Sequence, residues 1–269
     1  MDILLIGCGH MGSAMLAGWL RRDDIARVVV VDPHGAKHDQ PDQGDRRVVA
    51  CADASGITGN FDIAVLAVKP QVMNAVCADL APRLSADVMV VSIAAGITLT
   101  TLAKHFGDRP LVRAMPNTPG AIGRGITGYV TNQKLTSKQN DAVVRLLDVL
   151  GDVVQVPEES MMDAVTAVSG SGPAYIFALT EALEKAAIAS GLPVDLAVKL
   201  ARQTVVGAAA LMDEKKDTSP EALRKAVTSP GGTTEAALHV LMENRALETL
   251  FKKAVLAAKT RGQNLAQSQ

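Results

Sequence analysis

Ile3-Leu4-Leu5-Ile6-Gly7-Cys8-Gly9-His10-Met11-Gly12 decides the fold. An apolar run passes straight into the pattern G-x-G-x-x-G, and Ser13–Arg21 continues at helical spacing. Strand, tight turn and helix in that order form the phosphate-binding unit of a doubly wound sheet. Gly7 permits the turn, Gly9 lets a pyrophosphate reach the backbone, and Gly12 lets the helix lie close to the strand. The helix start supplies unpaired N–H groups and the positive end of the helix dipole. The pattern alone is weak, and a plain glycine turn is the alternative. The flanking strand and helix favour dinucleotide binding. His10 and Met11 fill the variable positions as loop residues beside the cofactor, with no metal role for His10.

The second strand, Val28–Val31, ends at Asp32, 20 residues after Gly12. An acid there takes the ribose hydroxyls and favours NAD. His34, Lys37 and His38 follow at once, and these could hold a 2′-phosphate by charge or simply line a solvated loop. The stretch therefore points to NADP and to NAD at the same time.

Farther along, short β-branched runs alternate with helical stretches: Ile63–Val68, Val88–Ile93, Leu111–Met115, Gly128–Thr131 and Val153–Val156. This predicts an α/β Rossmann-type domain over residues 1–156. From Pro157 the texture changes to alanine, leucine and methionine at helical spacing. An all-α domain is expected over 157–269, with helices at Glu158–Ser190 (broken near Gly170–Gly172), Val194–Glu214, Pro220–Val227 and Thr233–Arg261, and a loose tail at Gln263–Gln269. Its aromatic residues are Tyr175, Phe177 and Phe251. So few large side chains bury little area, and a partner's surface is expected to complete the core: a homo-oligomer formed through this half.

Composition narrows the class. The chain has 269 residues, 48% hydrophobic and 20% charged, as expected for a globular protein with a real core. Its 27 basic and 28 acidic residues give a formal net charge of −1 with no basic stripe, which disfavours nucleic acid or an anionic membrane as partner. No apolar run approaches the ~18 residues of a membrane span, and the start shows no signal-peptide pattern. Cys8, Cys51 and Cys77 are odd in number and form no CxxC, as in a cytoplasmic protein with reduced thiols. Neither HExxH nor a Ser/His/Asp arrangement is present. His239 sits among Leu238, Val240 and Leu241 and is expected to pack.

Three more loops follow strand ends, where such a sheet places its ligands: Ala67-Val68-Lys69-Pro70, Ala94-Ala95-Gly96 and Met115-Pro116-Asn117-Thr118-Pro119. The helical half adds Ser169-Gly170-Ser171-Gly172-Pro173-Ala174-Tyr175 and Ser229-Pro230-Gly231-Gly232-Thr233-Thr234. In this ordered set the chain resembles the pyrroline-5-carboxylate reductase family, from residue 1 to about 261. The resemblance implies a Rossmann-type domain and a helical domain that interlocks with its twin, with some members building decamers from dimers. It implies hydride delivery from reduced nicotinamide, usually NADPH, to the C=N carbon of 1-pyrroline-5-carboxylate, giving L-proline in the last step of its biosynthesis.

By the same resemblance Gly7, Gly9, His10, Met11 and Gly12 form the dinucleotide loop. Ala67, Val68, Lys69 and Pro70 line the adenosine and ribose side. Ala94, Ala95, Gly96 and Asn117 lie close to the nicotinamide half. Gly232, Thr233 and Thr234 hold the substrate carboxylate, and the Thr234 hydroxyl bonds the ring nitrogen and relays its proton. Many relatives carry a polar or basic residue where this chain has Asp32-Pro33, which bears on NADP preference.

The residues themselves support a second anion site. Ser229 can cap, Pro230 can open a helix, and Gly231 and Gly232 clear the approach. The N–H groups of Gly232, Thr233 and Thr234 would then face a carboxylate. Two anion cradles, one per half, are expected to share one gap. A C=N bond needs hydride and one proton, so sparse acid–base residues are compatible with catalysis. Two other readings compete. A β-hydroxyacid dehydrogenase needs a lysine base early in its first long helix, where the first lysine here is Lys185, about three turns on. A non-catalytic nucleotide sensor would have no use for the second cradle.

Overall fold

The computed structural model describes residues 1–33 and 44–267. Its centre is an eight-stranded sheet. The strands are β1 (Asp2–Ile6), β2 (Arg27–Val31), β3 (Val48–Cys51), β4 (Ile63–Leu66), β5 (Met89–Ser92), β6 (Leu111–Met115), β7 (Gly125–Thr131) and β8 (Gly151–Gln155). They lie in the order β3-β2-β1-β4-β5-β6-β7-β8. Neighbours are parallel except β6 and β7, so the last two strands run against the other six. The order of the first six reverses at β1, between β2 and β4, and such a reversal opens a crevice at the strands' carboxyl ends.

Central strands read as unbroken apolar runs because both faces are covered. Leu4 and Ile6 face one layer, with Met73 and Leu80 of α2 (Met73–Leu80) and Leu102 and Phe106 of α3 (Leu99–Phe106). Ile3 and Leu5 face the other, with Met15 and Trp19 of α1 (His10–Trp19) and Leu146 of α4 (Ser137–Leu147). Trp19 is wholly buried and its Nε1–H donates to the Leu146 carbonyl at 2.8 Å. Trp19→Phe strands that carbonyl, and stability is expected to fall by about 1–3 kcal/mol. An unchanged denaturant midpoint would contradict this.

Arg113 of β6 is buried and pairs with Glu159 at 3.1 Å and Asp163 at 3.3 Å. The same Glu159 oxygen accepts the Leu99 N–H at 2.8 Å, so one carboxylate ties β6 to the start of α3. Asp163 lies in the first turn of α5 (Met162–Val165), which runs into a wider turn at Thr166–Gly170.

By contact the chain forms two compact units: Met1–Ser171 with the chain from Ala257 onward, and Gly172–Leu256. The second unit holds α6 (Gly172–Ala189), α7 (Val194–Glu214), α8 (Pro220–Ala226), α9 (Thr233–Met242) and the start of α10 (Ala246–Gln267). Among its described residues only Ala197 and Ala201 are buried hydrophobics, while Phe177, Val240 and Leu250 stand 64–69% exposed. A helical unit with so little core of its own presents its apolar side chains for another surface.

Several expected boundaries are corrected. The helix expected over Thr233–Arg261 is two helices, broken where Asn244 and Arg245 take positive φ of 49° and 58°. The tail expected to be loose is helical through Gln267. A Cβ built on Gly96 would lie 3.6 Å from the Leu265 Cβ, so the tail packs within the first unit. His239 is exposed rather than packed, because α9 buries none of its residues within the chain.

Candidate dinucleotide and substrate sites

β1 ends and the chain reverses at Gly7, whose φ is +92°. Its N–H donates to the Val31 carbonyl at 2.8 Å. A Cβ there would sit 2.8 Å from the Ala67 carbonyl oxygen, so only glycine lets the first loop meet the Ala67–Pro70 loop. A Cβ on Gly12 would lie 2.4 Å from the Gly7 oxygen. Gly9 differs: nothing stands within 4 Å of its missing side chain, which leaves the open side for an incoming group. Gly9 caps α1 with no side-chain bond, and the first turn of a helix directs its N–H groups out of the helix start. A pyrophosphate fits this arrangement.

Asp32 Oδ2 accepts the Cys8 N–H at 2.7 Å, fastening the glycine loop to the end of β2. A cavity of about 280 Å³ opens beside Gly7, lined by Asp32, Pro33, Val68, Asp53, Asp79 and Leu80 among others. It can seat the adenosine end of a dinucleotide. Lys69 is exposed, and Pro70 starts a short turn on the same rim. His34 lies outside the described residues, as do Lys37 and His38. Asp53 and Asp79 escaped the sequence reading, although Asp53 follows β3 by the same logic that placed Asp32.

Ala94 is buried, and Gly96 carries a φ of +76° in the turn ahead of α3. The Asn117 side chain is a bridge: Nδ2 donates to the Ser169 carbonyl at 3.1 Å and Oδ1 accepts the Ile126 N–H at 3.0 Å. It holds the Met115–Pro119 loop to the turn around Gly170.

The second cradle is built differently from the expectation. Pro230 does not open a helix. Pro230 and Gly231 form the centre of a turn closed by the Gly232 N–H to the Ser229 carbonyl at 3.0 Å, with Gly231 at φ +71°. Proline followed by a positive-φ glycine is the type II signature. Gly232 is the cap of α9, and no side chain, Ser229 included, caps that helix. The Gly232 N–H is thus taken by the turn. The groups without intrahelical partners are those of Thr233, Thr234 and Glu235, one residue farther on. The Glu235 carboxylate turns back onto the Gly231 N–H at 2.7 Å. Gly231 and Thr233 are exposed and Thr234 half-buried, so the helix start is reachable. Gly231→Ala keeps this opening but forces a side chain into positive φ, and stability is expected to drop by about 1–2 kcal/mol. An unchanged unfolding midpoint would contradict the turn assignment.

Burial pushes the Cys77 thiol up to about 11, which suits a packing residue rather than a nucleophile.

Residues 159–265 match the family profile described as pyrroline-5-carboxylate reductase dimerisation. Residues 2–96 match one described as NADP oxidoreductase, coenzyme F420-dependent. A pyrroline-5-carboxylate reductase of Synechocystis is 40% identical, covering 97% of each chain. The solved structure of a pyrroline-5-carboxylate reductase from Coxiella burnetii superposes with a TM-score of 0.88 at 37% identity, covering 98% of each chain. The Plasmodium falciparum enzyme, solved with NADP bound, gives 0.80 at 27% identity, covering 99% of this chain and 98% of its own. With a Rossmann-type sheet carrying the dinucleotide loop, a helical dimerisation segment and relatives matched end to end, the chain belongs to the pyrroline-5-carboxylate reductase family of NAD(P)H-dependent oxidoreductases.

Proposed function

We propose that the chain reduces 1-pyrroline-5-carboxylate to L-proline, with residues 1–156 as cofactor domain and 157–269 as substrate and dimerisation domain. The observation that carries this reading is the presence of two glycine-opened helix starts on one chain. The first, at Gly9, suits a pyrophosphate. The second, at Thr233–Glu235, suits a small carboxylate. Reduced nicotinamide, when bound, supplies the hydride that the imine carbon takes up. The residues that would hold it are Gly7, Gly9, His10, Met11, Gly12, Asp32, Ala67, Val68, Lys69, Pro70, Ala94, Gly96 and Asn117.

The chain's own work is then positional. The N–H groups of Thr233 and Thr234 bind the carboxylate, and the Thr234 hydroxyl bonds the ring nitrogen that gains the proton. Gly231 and Gly232 keep side chains out of the approach, and Ser229 closes the turn that aims it. Orientation of this kind lowers a barrier by several kcal/mol.

The dehydrogenase alternative is disfavoured by Lys185. It lies about three turns into the helix rather than at its start, and its ammonium is hydrogen-bonded to Glu181, 2.5 Å away, which raises its pKa above the ordinary lysine value. Among the described residues no helix is long and apolar enough to cross a membrane. We place the protein in the cytoplasm as a homodimer through the helical half, with a homodecamer as the larger assembly of such dimers and no nucleic-acid partner. Light scattering on the purified protein tests the assembly. The activity test is direct: protein, imine and either reduced nicotinamide should form proline with loss of nicotinamide absorbance. No loss with both cofactors would overturn the reading.

A further inference from the structure

The turn between β5 and α3 is held from two directions, and both holds bear on the nicotinamide half of the cofactor. This inference rests on the cofactor reading above. Ile6, Leu66 and Ser92 are register partners on neighbouring parallel strands, so β1, β4 and β5 end side by side. Their outgoing loops leave one edge of the sheet, about 5 Å apart per strand. With a pyrophosphate at Gly9 and the adenosine in the cavity toward β2, the other half of the dinucleotide extends over the loops after β4 and β5. The loop after β5 is the turn at residues 93–98, with Gly96 at φ +76°.

The near end of this turn is fixed by the buried Ser92, whose hydroxyl accepts the Ala94 N–H at 3.3 Å. Its far end is the start of α3, and there the hold comes from a distant element. Glu159 Oε1 accepts the Leu99 N–H at 2.8 Å and meets the buried Arg113 guanidinium at 3.1 Å. Arg113 is the register partner of Ser92, so the carboxylate is anchored beside the row from which the turn departs. A negative charge at the positive end of α3 is favourably placed. The second hold comes from α10. A Cβ on Gly262 would lie 3.5 Å from Asp163 Oδ1, and about one turn on, the Leu265 Cβ lies 3.6 Å from a Cβ built on Gly96. The last turns of α10 therefore run from the Asp163–Arg113 pair onto the Gly96 turn. We propose that Glu159 and Leu265 are positioning residues for the nicotinamide ring, acting through the turn at Gly96. A misplacement of about 1 Å in such a support can slow a reaction about a hundredfold.

The test separates the two halves of the cofactor. Each reduced dinucleotide is titrated into the purified protein beside the ADP-ribose that matches it, with or without the 2′-phosphate, which has no nicotinamide. In Glu159→Ala the dinucleotide should bind about tenfold more weakly while the ADP-ribose changes by less than about twofold. Glu159→Gln keeps an oxygen for the Leu99 N–H and should recover most of the loss. Leu265→Asp puts a carboxylate against the turn and should move the same ratio by about threefold or more. It lies in the last turns of α10 and keeps the test available where Glu159→Ala fails to fold. Glu158→Gln, an exposed neighbour bonded to the Ser160 hydroxyl, should leave the ratio alone. With the imine, kcat should fall in both variants while KM for the imine holds, because α9 is untouched. A ratio unmoved in both variants, or equal weakening of both ligands, would overturn the proposal. Imine turnover by the wild type with an unmoved ratio would sink this inference and leave the proposed reaction standing. A moved ratio in a chain that never reduces the imine would do the reverse.

Discussion

Gly9→Val is expected to weaken NADH and NADPH binding by a hundredfold or more, on the order of 3 kcal/mol, while the thermal transition stays where it was. The asymmetry comes from the loop. Gly9 holds φ −72° and ψ −165°, which valine accepts without strain. No atom of the chain lies within 4 Å of its missing Cβ, so the fold does not feel the substitution. The side chain instead fills the approach to the helix start, and a pyrophosphate loses its charge-assisted N–H bonds. Gly12→Ala provides the contrast. Its Cβ would stand 2.4 Å from the Gly7 oxygen, and Gly7 is itself held by Val31, so both binding and stability should suffer. Calorimetric titration beside a melting curve separates the two. Undiminished affinity in Gly9→Val would mean that the dinucleotide enters elsewhere.

Thr234→Ala should lower kcat by about ten- to a hundredfold, the usual range for loss of one proton-transfer group. Thr234 is the second residue of α9, so the substitution leaves the backbone N–H groups in place. KM for the imine should therefore change little, and Thr234→Ser should recover most of the rate. A kcat equal to wild type would remove the hydroxyl from the reaction. A rise in KM with kcat intact would make Thr234 a binding residue only.

The first unit was legible because its signals are local. Ile3–Gly12 states strand, turn and helix in ten residues, and the doubly buried strands advertise themselves as apolar runs. β3 was missed because it is a four-residue edge strand with Val49 and Ala50 exposed, so it carries no such run. The open N–H groups expected at Gly232–Thr234 lie one residue farther on, at Thr233–Glu235. Proline at the first helical position and proline at the second position of a turn need the same φ near −65°. The sequence cannot separate them, and the positive φ of Gly231 does. The remaining errors come from tertiary contacts. Leu265 gives the tail a reason to stay helical that local residues do not hold. His239 sits among apolar neighbours that α9 leaves uncovered within the chain.

The central claim is that the start of α9 grips a carboxylate. It is tested most directly by comparing kcat/KM for 1-pyrroline-5-carboxylate with that for 1-pyrroline, the same ring without the acid, under saturating reduced cofactor. Two hydrogen bonds to a charged group contribute about 1.5–3 kcal/mol each, so the carboxylated imine should be preferred by at least about a hundredfold. Equal efficiency for the two rings would contradict the claim.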